Sequence, residues 1–153
     1  MAEYGVEKLE DAFLDLASML PAQWLHTGDS DIPQQVNWTL YRQLEANNAA
    51  FLVIARDDGK PVGYMTAFLY PHPNAVTELV AEVKTYYVER GRPIILNSMI
   101  DFTLSELARR GVYKIKAATH AGHSAGRIWE LKGFVISEIG YTLKLKRTGK
   151  TDA

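Results

Sequence analysis

Two arginines stand at a turn that the sequence places between a strand and a helix. They belong to the run Arg90-Gly91-Arg92-Pro93, which follows a β-rich segment and precedes a long amphipathic one. The start of a helix exposes unpaired backbone N–H groups and the positive end of the helix dipole. Two guanidinium groups beside such a start favour a bound anion. The spacing predicts a binding site for a phosphate or pyrophosphate group at this turn.

The residue types in the chain argue against a metal site and against a reactive thiol. It contains no cysteine, which excludes disulfides, thiolate zinc sites and a cysteine nucleophile. His120 and His123 are spaced as two ligands could be, but no obvious carboxylate stands nearby as a third. We therefore expect no metal site.

Length and composition indicate one ordinary globular domain. The chain has 153 residues, of which 47% are apolar, and its net charge of -1 gives no reason to expect a nucleic-acid partner. The longest apolar run, Ala49–Ala55, is too short to span a membrane, and the acidic N-terminus is unlike a secretory signal. We expect a cytoplasmic protein with one domain over 1–147, helical over 1–48, and a flexible tail over 148–153.

Hydrophobic periodicity and turn signals divide the chain into helices and strands. The predicted elements are helices over 6–20 and 31–48, strands over 50–56, 60–70 and 81–89, a helix over 93–110, a strand over 112–119, a helix over 124–131, and strands over 134–139 and 141–147. This order predicts a single α/β (α+β) domain with a mixed, mostly antiparallel sheet flanked by helices. Its central strand–helix–strand unit implies one parallel pair.

From Ala50 to Lys146 this order and its motifs resemble the GNAT superfamily of acyl-CoA-dependent N-acetyltransferases. The family's pyrophosphate turn begins with Arg or Gln, which Arg90 matches, whereas Pro93 and Ile95 stand where the family has small residues. Proline has no N–H to offer a phosphate. The family's usual first strand, which precedes the first helix, is expected to be missing or very short here.

The segment from His123 to Phe134 resembles a later signature of the same family. Ala125, Gly133 and Phe134 fit it, and Trp129 stands at the position of a tyrosine that protonates the leaving thiolate in many relatives. An indole N–H cannot act as that acid. Alternative proton donors are Ser124, Tyr141 and His123, and the sequence does not rank them.

The resemblance implies acetyl-CoA as the cofactor and assigns roles to particular residues. Glu82 would be the general base that deprotonates the attacking amine. The residues implied in holding coenzyme A are Tyr87, Val88, Arg90, Gly91, Arg92, Ile94, Ile95, Leu96, His123 and Trp129. A backbone N–H near Val88 would polarise the thioester carbonyl.

The implied acceptor is a primary amine on a small molecule or a protein, and a homodimer is expected. Four residues of the first two helices and their loop could form an acceptor wall or simply pack over the sheet: Trp24, His26, Trp38 and Tyr41. The strand tyrosines are expected to pack, with one or two lining a cleft: Tyr64, Tyr70, Tyr86 and Tyr87. Two alternatives stay open, a GNAT-like module that has lost catalysis and a protein that binds another phosphorylated ligand.

Overall fold

One five-stranded sheet, with helices on both faces, organises the chain. The computed structural model describes residues 1–27, 29, 31–119 and 125–145. The elements are β1 (Ala2–Glu7), α1 (Leu9–Trp24), α2 (Trp38–Ala46), β2 (Ala50–Asp57), β3 (Lys60–His72), β4 (Ala75–Val88), α3 (Pro93–Arg109), β5 (Val112–Ala117) and α4 (Ala125–Leu131). The strands lie in chain order, with β1 to β4 antiparallel and β5 parallel to β4. The predicted fold class and the central strand–helix–strand unit are confirmed.

Both faces of the sheet are buried, because α3 packs on one face and α1 on the other. Successive strand residues point to opposite faces, so neighbours in one strand belong to different clusters. Val53 is fully buried in a cluster with α3, and its neighbour Ile54 is buried in a second cluster with α1. Met65 and Tyr64 of β3 divide between the two clusters in the same way. This explains why β2 reads as one continuous apolar run rather than as an alternating one.

Backbone geometry confirms the predicted hairpin turn and the prediction for Gly63. Asp58 and Gly59, between β2 and β3, have φ of 49° and 77°, the left-handed values that a two-residue hairpin turn requires. Gly63 was predicted as a bulge or a close approach, and a Cβ at this position would lie 2.8 Å from the carbonyl oxygen of Tyr87. The β2–β3 register also shifts opposite Gly63, between Ala55 and Arg56.

The prediction that the first strand is missing or very short was wrong, because the strand is present with six residues, an ordinary length. Residues 2–7 form β1, and all six pair with β2. α1 starts at Leu9 and continues past Pro21 to Trp24, although Pro21 was expected to end it. Its apolar stripe continues through Leu20 to Trp24, so packing extends the helix beyond the local breaker.

The second helix was predicted to start too early. It begins at Trp38, where the side-chain oxygen of Asn37 accepts a hydrogen bond of 3.0 Å from the N–H of Leu40. The Asp31–Gln34 run resembles a helix start, but no helix forms there. Asn37 satisfies a free N–H at the true start, which is the role that a cap must fill.

The two C-terminal strands are absent from the part that the structure describes. Residues 134–145 form neither helix nor strand, and Leu143 and Leu145 are 82% and 80% exposed. The alternation of Leu with Lys predicts a strand, but the described residues of this segment do not pair with the outer edge of β5, and alternation without pairing does not make a strand. Residues 146 and 147 of the predicted strand lie outside the described residues.

Candidate functional site

β4 parts from β5 half-way along its length. β4 keeps its β3 partners from the bulge to its end at Val88, whereas its pairing with β5 stops at Val83. The last contact is a hydrogen bond of 3.2 Å from the N–H of Ala118 to the carbonyl oxygen of Val83. Beyond it, the β5-facing edge of Thr85–Val88 meets no backbone partner among the described residues. Such an edge can hydrogen-bond an extended ligand as an added strand would.

A bulge in β4 produces this opening. Thr66 of β3 faces Thr85, and the next residue, Ala67, faces Val83, so residue 84 is left over. An extra residue bends the strand and increases its local twist. The bend falls where β5 is lost as a partner, so the opening follows from a local break in register.

The turn before α3 lies at the end of the open edge, as the sequence predicted. Gly91 has φ of 82°, and α3 begins at Pro93 with no side-chain cap. The N–H of Ile95 is already used, because it donates to the carbonyl oxygen of Arg92 at 3.1 Å. Ile94 is 77% exposed. The helix start therefore offers an anion fewer donors than a glycine-rich turn would.

The two arginines of this turn differ in their surroundings. Arg92 contacts the carboxylates of Asp57 at 2.6 Å and of Glu89 at 2.9 Å. Its hydrogen bond lowers the pKa of Asp57 below the ordinary value. Arg90 is exposed and forms no ion pair with any residue that the structure describes. Arg90 is thus the arginine available to an anion, and Arg92 would have to exchange carboxylates for phosphate.

Two residues implied in cofactor binding point inward. Ile95 is 7% exposed and belongs to the core under α3, and Leu96 packs against that core. Both side chains therefore serve mainly the core, although Ile95 also lines a pocket at the turn with Gly91 and Arg92.

Trp129 lies against the open part of β4. Its ring meets Tyr86 of β4 edge-on, with centroids 6.0 Å apart, and packs against Phe134 in the same way at 5.1 Å. The residue is 5% exposed, and its indole N–H has no hydrogen-bond partner in the described part of the chain. A buried donor without a partner is costly, so a ligand that reached this N–H would satisfy it. His123 lies outside the described residues.

Glu82 is half-buried on β4, one residue before the strands part. Its Oε1 accepts a hydrogen bond of 2.7 Å from the hydroxyl of Tyr70, and this bond raises the pKa of Tyr70. Phe68 lies directly opposite on β3 and Lys116 on β5. The Lys116 ammonium is held 2.9 Å from Glu138. Glu82 is therefore an oriented carboxylate beside the opening.

A cleft of about 620 Å³ lies between α1, α2 and the sheet. Three of the four residues predicted for an acceptor wall line it: Trp24, Trp38 and Tyr41. His26, the fourth, is not in the described lining. The floor comes from the strands and includes Tyr64, Thr66 and Thr85. Because Thr85 also belongs to the open stretch of β4, the cleft and the opening adjoin.

The two threonines of the floor were missed at the level of sequence. Thr66 and Thr85 face each other across β3 and β4. The sequence carries a weak signal for Thr66, because its hydroxyl interrupts an otherwise apolar strand face two positions after Tyr64. Strand pairing between residues so far apart in the chain is needed to bring the two hydroxyls together.

Comparison with known proteins identifies the fold. No protein-family model matches the chain, and no curated protein does. Solved structures match over nearly the full length. A ribosomal-protein-alanine N-acetyltransferase from Brucella melitensis biovar Abortus 2308 superimposes with a TM-score of 0.74 at 20% identity, covering 96% of this chain and 99% of that one. The chain has the GNAT fold.

Two further solved structures superimpose on the chain over nearly its full length. A predicted acetyltransferase from Clostridium acetobutylicum, solved with acetyl-CoA, has a TM-score of 0.70 at 19% identity and covers 94% of this chain and 96% of its own. An aminoglycoside acetyltransferase from an uncultured soil metagenomic sample has a TM-score of 0.74 at 13% identity and covers 95% and 97%. These identities are low, so the GNAT fold is shared, and the chemistry must be argued from this chain's own residues.

Within this GNAT fold, no three histidine or acidic side chains come together as metal ligands in the described part of the chain. Likewise, none of the described helices is long and apolar enough to cross a bilayer.

Proposed function

We propose that the protein is an N-acetyltransferase that transfers the acetyl group of acetyl-CoA directly to a primary amine. The observation that carries this proposal is the parting of β4 from β5 after Val83, beside the start of α3. The opening exposes an unpaired strand edge near a helix N-terminus, which suits a ligand with an amide-bearing arm and a phosphate group. Coenzyme A is such a ligand.

The residues of the opening fit acetyl-CoA in part. The open edge of Tyr87 and Val88 would hold the pantetheine arm, and Arg90 with the exposed N–H groups of the turn would hold the pyrophosphate. The unpartnered N–H of Trp129 would donate a hydrogen bond to the bound molecule. Acetyl-CoA supplies an activated acetyl thioester. The chain's own contribution is to hold and orient it, which can provide much of the rate in such a transfer.

Glu82 is the proposed base. An amine attacks only when its nitrogen carries a lone pair, so an ammonium must first lose a proton. The Glu82 carboxylate is held by Tyr70 beside the opening and would accept that proton directly or through a water. Trp129 cannot supply the proton needed by the leaving thiolate. This role remains with Ser124, Tyr141 or His123, as the sequence left it.

A catalytically impaired module that binds coenzyme A or a protein partner is the second candidate. Arg92 is held by two carboxylates, and Pro93 has no N–H to give a phosphate. Both observations favour weakened cofactor binding. The two candidates differ in whether acetyl transfer takes place.

The test is a transfer assay with acetyl-CoA and a panel of primary amines. The released coenzyme A is measured with a thiol reagent, and the chain is well suited to this because it has no cysteine to react. Amine-free reactions correct for hydrolysis, and mass spectrometry identifies the acetylated amine. Amine-dependent thiol release supports the enzyme. Binding of acetyl-CoA without release from any amine would favour the impaired module.

A further inference from the structure

The charged residues that line the cleft between α1, α2 and the sheet are acidic. Among those that the structure describes, they are Glu45 and Asp29, and the Asp29 carboxylate lies 3.7 Å from the ammonium of Lys144, which is outside the lining. No lysine, arginine or histidine lines the described part of the cleft, so Glu45 contributes most of its negative charge. A volume of about 620 Å³ falls in the range of small-molecule sites. Acidic groups around a low-dielectric cleft concentrate cations and repel anions. The cleft is therefore suited to a positively charged small molecule.

The walls of the cleft are apolar and aromatic, and their rings are held in place. Trp24 donates its indole N–H to the carbonyl oxygen of Ile32 at 3.1 Å. Trp38 packs edge-on against Phe13, with centroids 4.7 Å apart. Tyr41 lies 6.0 Å from Phe68. Fixed aromatic faces bind apolar groups with little loss of side-chain freedom and also attract cations.

The hydroxyl of Tyr64 is an independent sign of a missing ligand. Tyr64 lines the cleft, is 2% exposed, and its hydroxyl has no hydrogen-bond partner in the described part of the chain. Burial and the neighbouring Tyr41 and Tyr87 raise its pKa, so the group stays a neutral phenol. A neutral hydroxyl both donates and accepts hydrogen bonds. Buried polar groups are nearly always partnered, and a bound molecule would provide that partner.

We infer that this cleft binds a primary amine with an aromatic or aliphatic body and one positive charge, and that the Tyr64 hydroxyl accepts a hydrogen bond from its nitrogen. The apolar body would lie against the aromatic walls. The nitrogen would lie at the floor, where Thr85 joins the cleft to the open edge of β4. A ligand with many hydroxyl and ammonium groups, such as an aminoglycoside, matches two carboxylates and aromatic walls poorly. Binding stands by itself, whereas acetylation of the bound amine rests on the proposed function.

The experiment measures binding without acetyl-CoA, through the fluorescence of the tryptophans in the cleft. The probes are 2-phenylethylamine, its neutral counterpart 2-phenylethanol, and ethylamine, which lacks the apolar body. We expect 2-phenylethylamine to bind about tenfold more tightly than either of the others. Equal affinity for the amine and the alcohol would overturn the inference.

Two variants test the residues. Tyr64→Phe keeps the ring, removes the hydroxyl, and should weaken 2-phenylethylamine binding about fivefold. Glu45→Gln removes a charge and keeps an oxygen for the N–H of Leu9, which donates to Glu45 at 2.8 Å. It should lower the preference for the amine over the alcohol. The control is Tyr113→Phe, since Tyr113 is 66% exposed on β5 and outside the cleft. Unchanged binding in both test variants would refute the inference.

The inference and the proposed function can fail separately. Tyr64-dependent binding of 2-phenylethylamine without release of coenzyme A would uphold the cleft assignment and contradict the enzyme. Conversely, acetylation of amines with the same KM for 2-phenylethylamine in wild type and Tyr64→Phe would uphold the enzyme and contradict the assignment.

Discussion

Two buried groups that have no hydrogen-bond partner among the described residues lie on opposite sides of the same stretch of β4. The Tyr64 hydroxyl belongs to the cluster under α1, and its ring lies 6.4 Å from Tyr87. The Trp129 N–H belongs to the cluster under α3, and its ring meets Tyr86. Since Tyr86 and Tyr87 are neighbours in a strand, they point to opposite sides. A ligand bound on each side of β4, as proposed above, would provide a partner for both groups.

The ligand-free protein should become more stable when the Tyr64 hydroxyl is removed. Tyr64→Phe deletes an unsatisfied buried group and keeps the packing, so the free energy of unfolding should rise by about 1 kcal/mol. Urea denaturation measures this, with Tyr113→Phe as the control that should change by less than about 0.5 kcal/mol. A clear loss of stability would mean that the hydroxyl is already satisfied in the free protein.

Glu82→Gln should depress transfer and spare cofactor binding. The amide cannot accept the amine's proton, so kcat/KM at neutral pH should fall by about 10²-fold, while the affinity for acetyl-CoA stays the same. Glu78→Gln is the matched control, because it makes the same change four residues earlier on β4. Equal kcat/KM in wild type and Glu82→Gln would remove Glu82 as the base.

Single residues were the hardest feature to predict. The turn arginines were found from local spacing, but the pairing of Arg92 with Asp57 joins residues from different parts of the chain. Tyr64 was one strand tyrosine among four, and nothing local distinguishes it. Its importance comes from burial without a partner, which is a property of the assembled core.

At the scale of elements, the bulge and opening of β4 depend on close contact with β3. Gly63 faces Val88, and its backbone lies against the carbonyl of Tyr87. A side chain at position 63 would contact backbone atoms, and these cannot move away as the end of a flexible side chain can. The glycine therefore holds β3 against the stretch of β4 that the opening exposes.

Gly63→Ala should destabilise the protein. The new Cβ would lie 2.8 Å from the Tyr87 oxygen, and relieving this clash must shift β3 or β4. We expect the free energy of unfolding to fall by about 1–3 kcal/mol in urea denaturation. Gly5→Ala is the control, since a Cβ there meets nothing within 4 Å. Equal effects of the two substitutions would show that the β3–β4 contact is not tight.

Substitutions of the two arginines of the turn should differ in their effects on acetyl-CoA affinity and on stability. Arg90→Ala removes an exposed cation and should weaken acetyl-CoA binding about tenfold. Arg92→Ala removes a contact with Asp57 and Glu89, so it should lower the free energy of unfolding slightly and affect affinity less. Calorimetry and urea denaturation of both variants measure this. A larger loss of affinity in Arg92→Ala would show that its carboxylate contacts give way to the ligand.

Elements with local signals were predicted well, and elements that need a distant partner were not. The β2–β3 hairpin and α3, closed by Gly111 at φ 77°, follow from turn and helix patterns within a few residues. β1 was missed because its strand character depends on β2, more than forty residues later in the chain. The strands predicted over 134–139 and 141–147 do not form in their described part, which leaves the outer edge of β5 without a partner strand there.

At the scale of the whole molecule, the two proposed ligand regions adjoin along β4. The opening between β4 and β5 leads to the α3 turn, and the acidic aromatic cleft lies under α1 and α2. The two regions meet at Thr85. A donor in the opening and an amine in the cleft would therefore approach each other at β4, which is the arrangement that direct transfer requires.

Calorimetric titration with acetyl-CoA, compared with acetyl-pantetheine that lacks the pyrophosphate, tests the central claim most directly. The account predicts a Kd on the order of 10 μM for acetyl-CoA and binding weaker by about tenfold or more for the truncated compound. That result would mean that the β4 opening and the α3 turn act together despite Pro93. No binding of acetyl-CoA up to about 1 mM would contradict the account and show that this GNAT fold no longer serves coenzyme A.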